Sequence, residues 1–144
     1  MAHSNIKMWT HSIFGTKNRQ KLIKPINENT IHNLIKKQFI EEDCYVDIIN
    51  GTENHIHVLF LLHPDLSIRK IMKQVKGGSS YEINQLDIIP TKFNWQIGFG
   101  AYSVSESHLE KIRQYIINQK EHHKTMTFQE EYEKFMKLYG LENG

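Results

Sequence analysis

Two histidines lie two residues apart in NHIHVLF, the stretch that covers residues 54–60. Because side chains alternate across a β-strand, His55 and His57 are expected on one face of a strand, roughly 6 to 7 Å apart. Two imidazoles at that offset can converge on one divalent metal ion. The same spacing also fits two half-buried polar residues at the start of a strand, so the pair alone leaves both interpretations open.

A second polar group follows on a late helix, within RQYIINQKEHH. Tyr115 and Gln119 are four residues apart and should therefore lie one above the other on a helix face. Together with His122 they border an apolar stripe. The stripe consists of Leu109, Ile112 and Ile116. A phenol, an amide and an imidazole in that place could form part of a reactive centre, or could border the core with the phenol hydrogen-bonded.

Composition limits the class of protein. A chain of 144 residues with 39% hydrophobic content is expected to form one domain over residues 1–144. No apolar stretch approaches the roughly 20 residues of a membrane span, and the start MAHSNIK lacks a signal sequence, so a cytoplasmic protein without membrane contact is expected. A single cysteine excludes an intrachain disulfide and a thiolate zinc site. The net charge of +2 is too small to establish a nucleic-acid partner by itself.

The first elements of the chain are a strand and a helix. Alternating side chains predict a strand over residues 6–14 with both faces partly covered. A helix should follow Pro25, capped by Asn27 or Asn29, and run to about Asp43.

The stretches CYVDII and HIHVLFLL, residues 44–49 and 55–62, predict a β-hairpin with Asn50-Gly51 as its turn. One face of the second strand is wholly apolar and is assigned to the core. Its members are Ile56, Val58, Phe60 and Leu62. The other face carries both histidines and then two leucines, so a further element should cover it, and a partner subunit is one candidate.

Ser67 should begin a second helix, and two adjacent glycines leave open whether that helix continues through SSYEINQL. A fourth strand is expected over residues 93–105. Within it Gly98 and Gly100 would share one face, where they could let another backbone or a ligand come close.

Two pairs with the pattern of a capping box are expected to begin the last two helices. The pairs are Ser107 with Glu110, and Thr127 with Glu130. The first helix should run through His123, and the second should carry an apolar stripe that ends at Gly140. The stripe consists of Phe128, Tyr132, Phe135, Met136 and Tyr139.

The order of the elements is strand, helix, strand, strand, helix, strand, and then two C-terminal helices. This order is typical of the ferredoxin-like split βαβ fold, which RNA recognition motifs share. We therefore predict an α+β protein with a four-stranded antiparallel sheet and helices on one face. The first and third strands are neighbours at the centre of such a sheet, so both histidines should lie on a central strand.

Several motifs occur in order along the chain: NHIH before an apolar strand, KGGSS, GFGAYSVS and YIINQKEHH. This set closely resembles the small single-tyrosine HUH transposases of bacterial insertion sequences and their relatives associated with repetitive extragenic palindromes (REP). HUH denotes histidine, hydrophobic residue, histidine. The likeness extends from TKNR near Thr16 to TFQEE in the last helix. Asn54 stands where the family often has aspartate, and Phe99 and Tyr102 exchange the usual aromatic types.

The resemblance implies a DNA transposase that cleaves and rejoins single-stranded DNA at hairpin-bearing element ends. The matched positions are His55 and His57 for the HUH metal ligands, Tyr115 for the nucleophile and Gln119 for the third ligand. The phenol would attack a phosphodiester, keep the 5′-phosphate as a phosphotyrosine and release a 3′-hydroxyl that can later reseal the strand. Asn54 and His122 are candidates for residues that hydrogen-bond around this centre.

The implied cofactor is a divalent metal ion. Two imidazoles and an amide are a softer ligand set than an all-oxygen site, so Mn²⁺ is favoured in vitro and Mg²⁺ is expected in the cell by abundance. Members of the family are homodimers in which the tyrosine helix of one subunit can complete the metal site of the other. We expect a homodimer, and the sequence leaves open whether each site is completed within one chain or between two.

Two basic clusters could neutralise DNA phosphates, or could be ordinary solvated surfaces. They consist of Lys17, Arg19, Lys21 and Lys24 after the first strand, and of Arg69, Lys70, Lys73 and Lys76 on the second helix. Tyr81, Trp9 and Trp95 could stack on bases, although core packing is expected for both tryptophans. His122 and His123 are expected at the surface.

The main alternative is a non-catalytic or domesticated single-stranded nucleic-acid-binding module with the topology of an RNA recognition motif. Against it, the third strand carries histidines and leucines where that module has aromatic residues. A metal hydrolase without a covalent intermediate is a third hypothesis, in which Tyr115 would be dispensable.

Overall fold

A computed structural model describes residues 4–138, with the backbone alone at 135–138. Four strands form one antiparallel sheet in the order β2-β3-β1-β4. Their bounds are β1 Trp9–Gly15, β2 Val46–Thr52, β3 His55–Leu61 and β4 Gly100–Val104. The predicted α+β, ferredoxin-like arrangement is confirmed, with the two histidines on a central strand.

Five α-helices accompany the sheet within the described residues. They are α1 Glu28–Glu41, α2 Ile68–Leu86, α3 Leu109–Ile117, α4 Gln119–His122 and α5 Phe128–Leu138, with short 3-10 turns at Lys17–Arg19 and Glu106–His108. Tyr139 and Gly140, predicted to end the last apolar stripe, lie outside the described residues. Between residues 4 and 138 no helix is both long enough and apolar enough to cross a lipid bilayer.

The sheet has two covered faces. On one face Ile56, Val58 and Phe60 are fully buried in a large apolar cluster with residues of α1 and α2. On the other face Leu59 packs in a smaller cluster with Ile116 of α3. The element that covers the histidine face is therefore a helix of the same chain, and this face does not require a partner subunit for its cover.

The hairpin turn is Glu53-Asn54, and the predicted turn at Asn50-Gly51 is wrong because both residues belong to β2. Asn50 is required within the strand, where its side-chain amide donates to the carbonyls of residues 116 and 117 at 2.9 and 3.0 Å. Gly51 lies so close to the His55 carbonyl that a Cβ would collide with it. These tertiary contacts outweigh the local turn preference.

The predicted first and fourth strands were both too long. Ile6 and Met8 are exposed, and β1 begins at Trp9. The fourth strand covers Gly100–Val104 and not 93–105, because Gly98 has a φ of 89° that takes the chain out of an extended path. Gly98 therefore does not share a strand face with Gly100.

Helix ends also differ from the sequence pattern. Asn27 occupies the N-cap position of α1, which ends at Glu41. The second helix continues through Gly77-Gly78, and a Cβ at Gly78 would collide with the Gln38 side chain of α1. Glycine thus allows the two helices to approach closely.

The two predicted capping boxes have opposite outcomes. Thr127 and Glu130 form one, with the Glu130 amide 3.1 Å from Thr127 Oγ1 and the Thr127 amide 3.2 Å from Glu130 Oε1. The Ser107 box is wrong, because a 3-10 turn intervenes and Ser107 Oγ lies 3.2 Å from His108 Nδ1 instead. The expected single helix through His123 is interrupted at Asn118, where α3 ends and α4 begins.

Candidate active site

The site includes His55, the first residue of β3. His55 and His57 are both fully buried, and their ring centroids are 5.2 Å apart with planes at 71°. In the sheet they lie opposite Gly15 and Ile13 of β1. Strand alternation therefore turns both imidazoles toward α3, α4 and α5, as the sequence predicts.

The late helices bring the other two predicted residues to this pair. Gln119 Oε1 lies 2.9 Å from His55 Nε2, and both side chains are fully buried. The Tyr115 ring centroid lies 5.9 Å from that of His57. The break at Asn118 separates the two late residues onto α3 and α4, yet both reach the histidines.

A glutamate that the sequence analysis did not select lies at the centre of the site. Glu131 Oε1 is 3.0 Å from His57 Nε2 and 3.3 Å from His55 Nε2. Its other oxygen, Oε2, accepts hydrogen bonds from the Tyr115 hydroxyl and, at 2.9 Å, from Gln119 Nε2. One buried carboxylate thus joins the candidate ligands to the candidate nucleophile.

A sequence signal for Glu131 exists in the last helix. It stands three residues after Phe128 and one before Tyr132, and so falls among the residues of the predicted apolar stripe. A carboxylate on the buried side of a helix is seldom tolerated without partners. The TFQEE motif at the end of the family resemblance also contains it.

The donor set fits a divalent cation. Ligand atoms of His55, His57 and Glu131 all lie within 4.8 Å of one another. Two imidazole nitrogens with a carboxylate oxygen are a ligand combination common to several first-row metals and zinc. Gln119 Oε1 is a fourth candidate donor because of its contact with His55.

Residues behind His55 hold its ring. Thr52 Oγ1 and Asn54 Oδ1 each lie 2.9 Å from His55 Nδ1. A fixed Nδ1 partner sets the orientation and tautomer of an imidazole whose Nε2 faces the site. Asn54 is therefore in hydrogen-bond contact with His55, and its role in supporting a ligand histidine stays a prediction.

His57 is supported by a third histidine, which the sequence analysis also did not select. His11 of β1 is fully buried, its Nε2 lies 2.8 Å from His57 Nδ1, and the two rings stack with centroids 5.0 Å apart. A proton shared across this contact couples the tautomers of the two rings. His11 carries no separate sequence signal, since a lone histidine in a strand has many roles.

Burial and hydrogen bonding together set the ionisation of the site. Burial lowers the pKa of His57 to about 4 although Glu131 opposes the shift. Burial and the Glu131 carboxylate raise the pKa of the Tyr115 phenol well above its usual value. Burial alone would raise the pKa of Glu131, but hydrogen bonds from His123, His55 and His57 hold it far below its usual range. Glu131 is therefore ionised and Tyr115 protonated.

Two late histidines expected at the surface lie against the site instead. His123 Nε2 is 2.9 Å from Glu131 Oε1, and its side chain is 9% exposed. The His122 ring stacks on Tyr115 with centroids 4.5 Å apart and planes at 27°. The expectation of two surface histidines is wrong, since His122 stacks on the candidate nucleophile Tyr115 and His123 contacts Glu131.

Phe128 closes the site. Its ring stacks on His55 with centroids 4.2 Å apart and planes at 2°. His55, His57, Gln119 and Glu131 all have 0% exposure as a result of this cover and of α3 and α4. Phe128 therefore covers His55 from the side of α5.

The basic clusters are mostly solvent-exposed. Exposed members are Lys17, Arg19, Lys21, Lys24, Arg69, Lys70 and Lys73. Lys76 differs, because its ammonium donates to the carbonyls of Gln96 and Gly98 at 2.7 and 2.6 Å. Both tryptophans are buried, which confirms their packing role, and Tyr81 is exposed.

The chain is similar to a known protein family and to solved structures. Residues 4–119 match the family described as transposase IS200-like. A structure from Deinococcus radiodurans R1, of a protein assigned as a transposase, is similar with a TM-score of 0.63 and 21% identity, covering 83% of this chain and 98% of that chain. A REP-associated tyrosine transposase bound to a REP hairpin is similar with a TM-score of 0.57 and 13% identity, covering 83% and 70%. At these identities the structures establish a shared fold. No curated protein matches the chain.

Proposed function

Because the chain belongs to the IS200-like transposase family, we propose that it cleaves and rejoins single-stranded DNA through a 5′-phosphotyrosine on Tyr115. The observation that carries this proposal is the meeting of the Tyr115 phenol with Glu131, which in turn contacts both histidines. A nucleophile, a carboxylate and two imidazoles from three separate elements converge there. The rival hypothesis of a pure binding module gives no reason for this convergence.

The two carboxylate oxygens of Glu131 have different roles in the proposed reaction. Oε1 faces the histidines, whereas Oε2 accepts the Tyr115 proton in a hydrogen bond. The phenol oxygen attacks phosphorus as its proton passes to Glu131 Oε2, the bond from phosphorus to the 3′-oxygen breaks, that oxygen takes up a proton and leaves as a 3′-hydroxyl, and the 5′-phosphate stays on Tyr115. Because an ester replaces an ester, the bond energy is kept, and a 3′-hydroxyl can later reverse the exchange.

His55, His57 and an oxygen of Glu131 or Gln119 would hold a divalent cation, Mg²⁺ or Mn²⁺. Such a cation supplies Lewis-acid stabilisation of charge on the scissile phosphate. Thr52, Asn54 and His11 keep the imidazoles oriented for this duty. Phe128 excludes water from the site until DNA enters.

The proposed substrate is a single strand that carries a hairpin at the end of a mobile element. Support comes from the REP-associated tyrosine transposase of similar fold, which is bound to a REP hairpin. The exposed lysines and arginines after β1 and on α2 offer charge for phosphates. We also propose that the protein acts in the cytoplasm.

A homodimer is proposed from the family resemblance. In the structure Tyr115 lies beside the histidines of its own chain. Completion of the site between subunits would therefore require α3 and α4 of two chains to exchange places. The homodimer itself stays a prediction.

The test is formation of a covalent adduct. The full-length protein is incubated with Mn²⁺ and labelled single-stranded DNA that carries a hairpin, and a denaturant-resistant protein-DNA product is sought. Wild type should form it, and Tyr115→Phe and His57→Ala should not. Tyr45→Phe, which alters an exposed tyrosine, is the matched control and should react normally.

Each rival function predicts a different outcome of this experiment. Cleavage that persists in Tyr115→Phe would support a metal hydrolase without a covalent intermediate. Binding without cleavage by wild type would support the nucleic-acid-binding module. Both outcomes would contradict the phosphotyrosine mechanism.

A further inference from the structure

A cleft of about 600 Å³ opens beside the candidate active site, and the proposed cleavage reaction does not use it. It lies between the end of β1, the following 3-10 turn, the loop over residues 96–99 and the start of α5. Its volume is within the roughly 300–1,000 Å³ of small-molecule sites. Side chains on its walls include Arg19, Gln96, Ile97, Phe99, Phe128 and Tyr132.

The cleft and the active site share a wall. Phe128 lines the cleft and also stacks on His55. Gly15 lines it too, pairs with His55 in the sheet, and would place a Cβ 2.6 Å from the Phe128 ring. A nucleotide next to a phosphate at the histidines would consequently have its base at this cleft.

The walls have the chemistry that unpaired bases bind. Phe99, Phe128 and Tyr132 offer aromatic surface, and the Arg19 guanidinium lies 6.0 Å from the Phe128 ring centroid. Stacking of a base on an aromatic side chain contributes about 1–3 kcal/mol, and arginine adds a cation-π contribution. Gln96 and Asn18 supply polar groups at the edge.

The rim of the cleft is an exposed isoleucine on a fixed loop. Ile97 is 96% exposed, but the residues on both sides of it are held. The Gln96 amide donates to the Gly15 carbonyl at 2.8 Å, and Lys76 Nζ donates to the carbonyls of Gln96 and Gly98. Burial lowers the pKa of Lys76, which agrees with an ammonium directed at backbone and not at solvent. An apolar side chain is thus presented to solvent at a set position.

Resting on the proposed function, we propose that this cleft binds the unpaired base next to the cleaved phosphodiester, with Ile97 as a contact on its rim. Lys76 is then a positioning residue that holds the loop, and not a phosphate contact. The base packs between aromatic walls and the isoleucine, as apolar side chains do when they insert beside bases. The occupant is part of the same strand that reaches Tyr115.

The first test is base preference at the junction. Hairpin oligonucleotides with a randomised single-stranded arm are incubated with Mn²⁺ and full-length protein, and the DNA joined to Tyr115 is sequenced. Wild type should show a base preference at a nucleotide flanking the cut. Ile97→Ser and Lys76→Met should reduce that enrichment about tenfold, which corresponds to about 1.4 kcal/mol of binding free energy, while adducts still form at saturating DNA.

Matched controls are Ile40→Ser and Lys36→Met, which alter an exposed isoleucine and an exposed lysine of α1. Both should keep the wild-type preference. An unchanged preference in Ile97→Ser and Lys76→Met, or an equal loss in the controls, would overturn the proposal.

The second test does not depend on cleavage. A short oligothymidylate with one 5-iodouracil is photo-crosslinked to the Tyr115→Phe protein, and the attached peptides are identified by mass spectrometry. Attachment at Phe99, Phe128 or Tyr132 supports the base site, and attachment only elsewhere overturns it. If wild type forms no adduct, the phosphotyrosine mechanism is contradicted. The crosslinked positions still test separately whether the cleft binds a base.

Discussion

The two faces of β3 are buried equally deeply but are covered by different chemistry. Toward α1 and α2, Ile56, Val58 and Phe60 lie among apolar side chains. Toward α3, α4 and α5, His55 and His57 lie among a carboxylate, an amide and a phenol. Burial of apolar groups stabilises a fold directly, whereas buried imidazoles and carboxylates cost free energy that hydrogen bonds or a cation must offset. One face of this seven-residue strand therefore stabilises the fold, and the other face carries the candidate active site.

The largest expected change in stability comes from the apolar face. Phe60→Ala removes a fully buried ring whose centroid lies 4.6 Å from the ring centroid of Phe39. This change should lower the free energy of unfolding by about 3–5 kcal/mol. Tyr115→Phe, on the other face, loses one hydrogen bond to a charged carboxylate and should cost about 1.5–3 kcal/mol. Urea unfolding followed by circular dichroism measures both values. Equal losses in the two variants would contradict the separation of the faces.

Cation binding should stabilise the protein through the polar face. Mn²⁺ at about a hundred times its dissociation constant should raise the free energy of unfolding by about 2.7 kcal/mol, because the folded state alone binds it. Glu131→Gln should weaken binding at least about tenfold, as judged by calorimetric titration. Glu133→Gln, an exposed glutamate on the same helix, is the control and should bind normally.

The same titration distinguishes the third ligand. Gln119→Leu removes the amide that the family resemblance implies, and Glu131→Gln removes the carboxylate that the structure adds. We expect the larger loss of affinity in Glu131→Gln, because a carboxylate neutralises the cation and an amide does not. The reverse order would favour Gln119 as the principal oxygen ligand.

The last prediction concerns a buried histidine on the opposite side of the sheet. Burial lowers the pKa of His32 on α1 to about 4. Between about pH 6.5 and 4 the unfolded chain binds a proton there that the folded chain does not, so stability should fall as the pH falls, by up to about 1.4 kcal/mol per pH unit. Below that window both states are protonated, and the contribution stays constant.

Unfolding measured across that pH window tests the contribution of His32. His32→Leu should flatten the profile relative to wild type, whereas His108→Asn, which alters an exposed histidine, should not. A steeper loss of stability in His32→Leu would show that His32 is charged in the folded protein.

Local periodicity predicted much of this site. Alternation along β3 assigned His55 and His57 to one face because side chains in a strand change sides at every residue. Four-residue spacing likewise placed Tyr115 near Gln119. The first prediction depends only on contacts within one strand. The second holds although the break at Asn118 puts the two residues on α3 and α4, because both side chains donate to Glu131 Oε2.

Contacts between distant elements were the ones that the sequence did not reveal. Glu131 is 74 residues from His57, and nothing in the periodicity of α5 says where its buried side docks. The turn at Asn50-Gly51 failed for a related reason, since Asn50 instead satisfies carbonyls at the break between α3 and α4. Sequence periodicity predicts individual strands and helices. Contacts between distant elements outweigh these local preferences where the elements pack together.

The flat stacking of Phe128 on His55 has a kinetic consequence. If entry of DNA requires displacement of that aromatic cap, opening can be slower than phosphoryl exchange and then sets turnover. Replacing a phosphate oxygen with sulfur would in that case hardly change the steady-state rate. In the proposed reaction, such a cap would keep the protein inactive until DNA displaces it.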